Sequence, residues 1–158
     1  MTAAESAGPV SVPAAARDGS RVSRVLLAED DPDYRRLVGL ALHADGCDVT
    51  EARDGPELAD RLCAALERRA QPYDIVVADV HLPNGTALDV LAPAVRAGLA
   101  TPIILMTGFG DEQVYLAAGW LGVSCVFRKP FAVDDLRMAV LTFARFSPRR
   151  STPPATVA

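Results

Sequence analysis

The chain has no CxxC pair: its three cysteines, Cys47, Cys63 and Cys125, are scattered and odd in number. That excludes a disulfide framework or a cysteine zinc site and leaves reduced, partly buried thiols of a cytoplasmic protein as the reading. No apolar run reaches the ~20 residues that a membrane span needs. The first 21 residues, MTAAESAGPVSVPAAARDGSR, lack a basic segment followed by an apolar one, so no secretory leader is expected. Excess positive charge is missing too. A formal net charge of −4 supplies no basic face for nucleic-acid phosphates.

What is present fits one domain of ordinary size. The chain has 158 residues, half of them hydrophobic, which is enough for a single core. Residues 1–22 are rich in Ala, Pro, Ser and Gly and have few large apolar side chains to offset the entropy of ordering. They read as a disordered N-terminal tail, and residues 147–158 read as a C-terminal one. Residues 23–146 form the expected folded region.

Within it the pattern alternates. Short apolar runs at 25–28, 48–51, 75–78, 103–106 and 124–127 predict strands, each followed by a stretch with helical spacing. In the first helix Leu37, Leu40, Ala41 and Ala44 recur at three- and four-residue steps. In the last, Val133, Leu136, Val140, Phe143 and Ala144 share a face. Asp31-Pro32 reads as an N-cap followed by proline at the first helical position. Asp54 with Glu57, and Thr86 with Asp89, have the spacing of capping boxes. Pro93 falls inside the third helix, which should therefore kink there or begin later.

Five strands alternating with five helices predict an α/β fold, a parallel sheet covered on both faces. In the flavodoxin-like (βα)5 order 2-1-3-4-5, the chain reverses direction between strands 1 and 3. A ligand site is then expected at the carboxyl ends of those strands. Strand 1 ends in Glu29-Asp30-Asp31 and strand 3 in Asp79. Strand 4 ends in Met106-Thr107-Gly108, and strand 5 runs into Arg128-Lys129-Pro130-Phe131. Taken singly, an acidic pair before a helix is usually a cap and a Lys-Pro a turn. Convergence of carboxylates, a hydroxyl and an ammonium on one sheet edge is more specific.

VLLAEDDPDYRR (25–36), DIVVADVHLPNG (74–85), PIILMTG (102–108) and FRKPF (127–131) together resemble the receiver domains of two-component response regulators, CheY-like, over roughly residues 23–145. The resemblance implies that Asp79 is the phosphoacceptor, a nucleophile that forms an aspartyl phosphate. It implies one Mg²⁺ (or Mn²⁺) held by Glu29, Asp30, Asp79 and the backbone carbonyl of His81. Lys129 would pair with Asp79 and then with a phosphoryl oxygen, and Thr107 would hydrogen-bond another. Asp31 is assigned to the helix cap. His81, Phe109 and Gly108 would form the site rim. His81 is there as a carbonyl donor and rim side chain, and His43 is a solvent-facing bystander.

The sequence departs from the family pattern in two places. The switch position, three residues before the lysine and usually Tyr or Phe, is Val126. Neighbouring Phe127 points to the opposite face of its strand and cannot replace it. Ala87 stands where a glycine is usual. Tyr115 and Trp120, in the fourth helix, are expected in the core or half-buried.

The expectation is a stand-alone, single-domain response regulator. It would take a phosphoryl group on Asp79 from a histidine kinase or histidine phosphotransfer protein and catalyse its own phosphorylation and dephosphorylation. It would then signal to a downstream target protein as a monomer or weak dimer, without nucleic acid or membrane. The alternative is a receiver-like interaction module that acts without phosphorylation. A flavodoxin-like hydrolase or flavin protein is disfavoured, because no Gly-rich phosphate loop follows strand 1.

Overall fold

The computed structural model describes residues 21–108 and 111–148. Phe109 and most of both expected tails lie outside the described residues. Ser147, assigned to the C-terminal tail, is buried, so packing extends past the expected boundary at 146.

Ten elements alternate without interruption: β1 (Arg24–Ala28), α1 (Pro32–Ala44), β2 (Asp48–Ala52), α2 (Gly55–Leu66), β3 (Ile75–Asp79), α3 (Ala87–Arg96), β4 (Ile103–Thr107), α4 (Glu112–Leu121), β5 (Cys125–Arg128) and α5 (Val133–Ala144). All strand pairs are parallel, and the sheet order is β2-β1-β3-β4-β5, the flavodoxin-like arrangement.

Strand periodicity explains why β1, β3 and β4 read as unbroken apolar runs. Successive side chains face opposite sides of a sheet, and here both sides are covered. Leu26, Ala28, Val76, Ala78 and Leu105 pack beneath Leu58 and Leu62 of α2, Leu91 of α3 and Ala118 of α4. Val25, Leu27, Ile75, Val77, Ile104 and Met106 face the other way, against Val38 and Leu42 of α1 and Leu136, Val140 and Ala144 of α5.

Helix starts follow the capping chemistry. Asp31 accepts the amides of Asp33 and Tyr34, with Pro32 opening α1. Thr86 and Asp89 form the complete reciprocal capping box of α3. At α2 the box is half made: Asp54 accepts the Glu57 amide at 2.8 Å, but Glu57 turns to the Arg53 amide at 3.3 Å.

Three local expectations are corrected. The buried stripe of α1 is Val38, Gly39 and Leu42, while Leu37 and Leu40 are exposed. The two stripes lie one residue apart, about 100° round the helix. Both are apolar, so periodicity alone could not choose between them. Helix α3 does not start late: it begins at Ala87 and runs through Pro93 to Arg96, and the Ala97 amide donates to the Pro93 carbonyl at 2.9 Å. Pro93 is exposed, so water can reach the carbonyl it leaves without an amide. Trp120 and Tyr115 are not core residues: Trp120 is 89% and Tyr115 45% exposed.

Candidate phosphoacceptor site

The carboxyl ends of β1, β3, β4 and β5 bring the expected residues to one sheet edge. Register sets the arrangement: Asp79 is the last residue of β3, opposite Met106, and Thr107 is the last of β4, opposite Arg128. Glu29 follows β1 and is fixed by its own amide, which donates to the Ala52 carbonyl at 3.0 Å.

Three carboxylates converge. Glu29, Asp30 and Asp79 each offer an oxygen within 4.8 Å of the others. Glu29 and Asp79 are buried, and Asp30 is exposed. Lys129 joins them from the loop after β5, with Nζ 2.6 Å from Asp79 Oδ2 and 3.0 Å from Glu29 Oε2. The second Asp79 oxygen accepts the His81 amide at 2.9 Å.

The charges do not balance. Burial, together with the nearby Asp79 charge, pushes Glu29 up to about 7 despite its hydrogen bond from Lys129. Burial alone would lower the Lys129 ammonium; its bonds to Asp79 and Glu29 outweigh that and hold it above its ordinary value. One ammonium among three carboxylates leaves negative charge in excess. An all-oxygen donor set of this kind fits a hard divalent cation.

Several contributors had no sequence signal. Asp111, at the start of α4, accepts hydrogen bonds from Thr107 Oγ1 at 2.7 Å and His81 Nε2 at 2.6 Å on one carboxylate oxygen. Those two bonds lower its pKa. Tyr34 places its ring 4.6 Å from Lys129 Nζ and packs edge-on against Phe131. Arg35 donates to the Glu29 carbonyl at 2.9 Å and pairs with Glu51 at 3.3 Å. Tyr34 and Arg35 sit in the 25–36 motif, but only the fold reveals what they touch.

His81 is exposed, and among the described residues nothing stands within 4 Å of where a Gly108 side chain would begin. Val126 packs towards α2, α3 and α4, while Phe127 packs with Phe131 on the opposite face, ring centroids 5.0 Å apart. Ala87 is the fully buried first residue of α3, its amide donating to the Val80 carbonyl at 2.9 Å. His43 is exposed.

A family model described as response regulator receiver domain matches residues 25–141. The chain belongs to this family. The receiver domain is 30% identical over 128 residues to the probable transcriptional regulatory protein TcrX of Mycobacterium tuberculosis, covering 81% of this chain and 52% of TcrX. The chain thus spans about half the length of such curated relatives. A CheY-like receiver domain protein from Methanospirillum hungatei superposes with TM-score 0.70 at 19% identity, over 80% of this chain and 96% of that one. A response regulator from Burkholderia pseudomallei, solved with a phosphorylated aspartic acid, calcium ion and citrate, gives TM-score 0.64 at 21% identity, over 78% and 69%. At these identities the structural likenesses speak for the fold alone. Among the described residues, no helix is long and apolar enough to cross a membrane.

Proposed function

We propose that this receiver domain accepts a phosphoryl group on Asp79 from the phosphohistidine of a kinase or phosphotransfer protein. The observation that carries the reading is the position of Lys129, 2.6 Å from Asp79 and 3.0 Å from Glu29. A cation held there neutralises the nucleophile as a dianionic phosphoryl group approaches. Phosphoryl transfer asks the protein mainly for such positioning and charge compensation.

An Asp79 oxygen forms the new P–O bond as the donor's P–N bond breaks, and the donor imidazole leaves with the electron pair. The His81 amide orients the acceptor through its other oxygen. Lys129 follows the charge from carboxylate to phosphoryl oxygen, and Thr107 donates to another. Glu29, Asp30, Asp79 and the His81 carbonyl are the residues that would hold Mg²⁺ (or Mn²⁺). When bound, that ion supplies further charge neutralisation for the transferring group. Membership of the receiver-domain family over residues 25–141 supports this reading.

We infer that the output is protein–protein contact, delivered in the cytoplasm. An acidic chain with Leu116 and Trp120 exposed on α4 supports a protein partner over a duplex. The test is intact mass after incubation with Mg²⁺ and acetyl phosphate. One phosphoryl adduct is expected, absent in Asp79→Asn and absent without the metal. No adduct from either acetyl phosphate or a histidine-kinase donor, together with no Mg²⁺ binding, would leave an interaction module that acts without phosphorylation.

A further inference from the structure

Asp111 occupies the N-cap position of α4, yet its side chain makes no cap. Aspartate is among the strongest N-cap residues. At the other helices with a side-chain cap, Asp31, Asp54 and Thr86 accept first-turn amides. Asp111 instead turns into the site, where Thr107 Oγ1 and His81 Nε2 both donate to its Oδ2.

A threonine hydroxyl has one proton to donate. Thr107 can give it to Asp111 or to a phosphoryl oxygen on Asp79, never to both. Phosphorylation also adds roughly −1.5 to −2 charges, which disfavours a carboxylate staying on the same threonine. The His81 contact does not bar the move, since His81 is 59% and Asp111 27% exposed, and exposed pairs are screened.

We propose that Asp111 is a two-position residue that couples the site to α4. It rests on Thr107 and His81 while Asp79 is free, and swings to cap α4 once a phosphoryl oxygen takes the Thr107 proton. The inference rests on the phosphoacceptor role proposed above. It provides a signalling route that bypasses position 126, where this chain has valine. The first turn of α4 tightens, and Tyr115, Leu116 and Trp120 on its exposed surface report the change to a partner.

The amide that reports such a cap most cleanly is that of Gln113, at the second helical position, which Asp31 caps in α1, since the Val114 amide already has the Asp111 carbonyl at 3.0 Å. Amide exchange is measured in the full chain with and without acetyl phosphate, in the adduct-bearing fraction of each protein. Protection at Gln113 should rise about 2- to 30-fold on phosphorylation, the span a side-chain cap contributes. Asp111→Ala should lose that rise, and Asp111→Asn, which can still cap, should keep it. An adduct with no gain, or a gain retained in Asp111→Ala, overturns the inference and leaves the phosphoacceptor role standing.

A second arm needs no phosphoryl donor. Thr107→Val combined with His81→Ala frees Asp111, so Gln113 should become protected, and adding Asp111→Ala should reverse this. Equal protection with and without Asp111 overturns the inference whatever the fate of the acceptor.

Discussion

The Lys129 ammonium stands 3.0 Å from the Glu29 carboxylate, 100 residues away in sequence, and Glu29 is only 1% exposed. Even with that partner Glu29 titrates near 7, because burial and Asp79 outweigh the ammonium. The site therefore holds a carboxylate that would rather be neutral.

That has a signed consequence for stability. A carboxyl whose folded pKa lies above its unfolded value contributes fully below about 4.5, and the contribution is lost as pH rises towards 7. In metal-free buffer, Glu29→Gln should lose this dependence. Between pH 5 and pH 8 its stability relative to the parent should rise by on the order of 2–3 kcal/mol. Urea unfolding at both pH values measures it; parallel curves would show that Glu29 is not the titrating group.

The same proton competes with a metal. With Glu29 among the proposed ligands, its deprotonation accompanies Mg²⁺ binding, so apparent affinity should weaken roughly ten-fold from pH 8 to pH 6 as the pKa near 7 is crossed. Calorimetric titrations in buffers of different ionisation enthalpy would also reveal the released proton. A flat pH profile would place the metal away from Glu29.

How much of this was legible beforehand varies with the physics. The strands read correctly to within a residue, most plainly β1, β3 and β4, where a sheet covered on both faces demands apolar runs. Asp79, Thr107 and Lys129 were findable since each ends or follows such a run. The buried face of α1 was not, because Leu37/Leu40 and Val38/Leu42 are equally apolar. Asp111 carried no signal either: an acidic residue before a helix reads as a cap, and only its distances to Thr107 and His81 show it is occupied elsewhere. Trp120 was misjudged since helical spacing does not tell which face meets the sheet.

The capping box of α3 provides a stability test separate from the chemistry. Thr86 accepts the Asp89 amide at 3.2 Å while Asp89 returns a carboxylate to the Thr86 amide. Thr86→Ala should cost about 1 kcal/mol. The urea midpoint should fall with an unchanged slope.

Gly55 tests the loop beneath the site. A Cβ there would sit 3.3 Å from the Gly85 carbonyl oxygen and 3.4 Å from that of Asn84, both backbone atoms. The loop is pinned by the Gly55 amide on the Pro83 carbonyl at 3.1 Å and the Ala87 amide on Val80 at 2.9 Å. Gly55→Ala should thus lose about 1 kcal/mol, because overpacking at 1–3 kcal/mol exceeds the helix propensity gained. An unchanged unfolding midpoint would show that the loop yields freely.

Trp120 is the sole tryptophan of the chain, and it stands in water beside a groove shared with Leu88, Pro93 and Arg96. The protein thereby carries one intrinsic fluorophore, placed on α4 away from the phosphoacceptor chemistry. Its emission belongs to a hydrated indole. Any partner seated over the α3–α4 groove must strip that water and move the spectrum to shorter wavelength, so binding can be followed on the unlabelled protein.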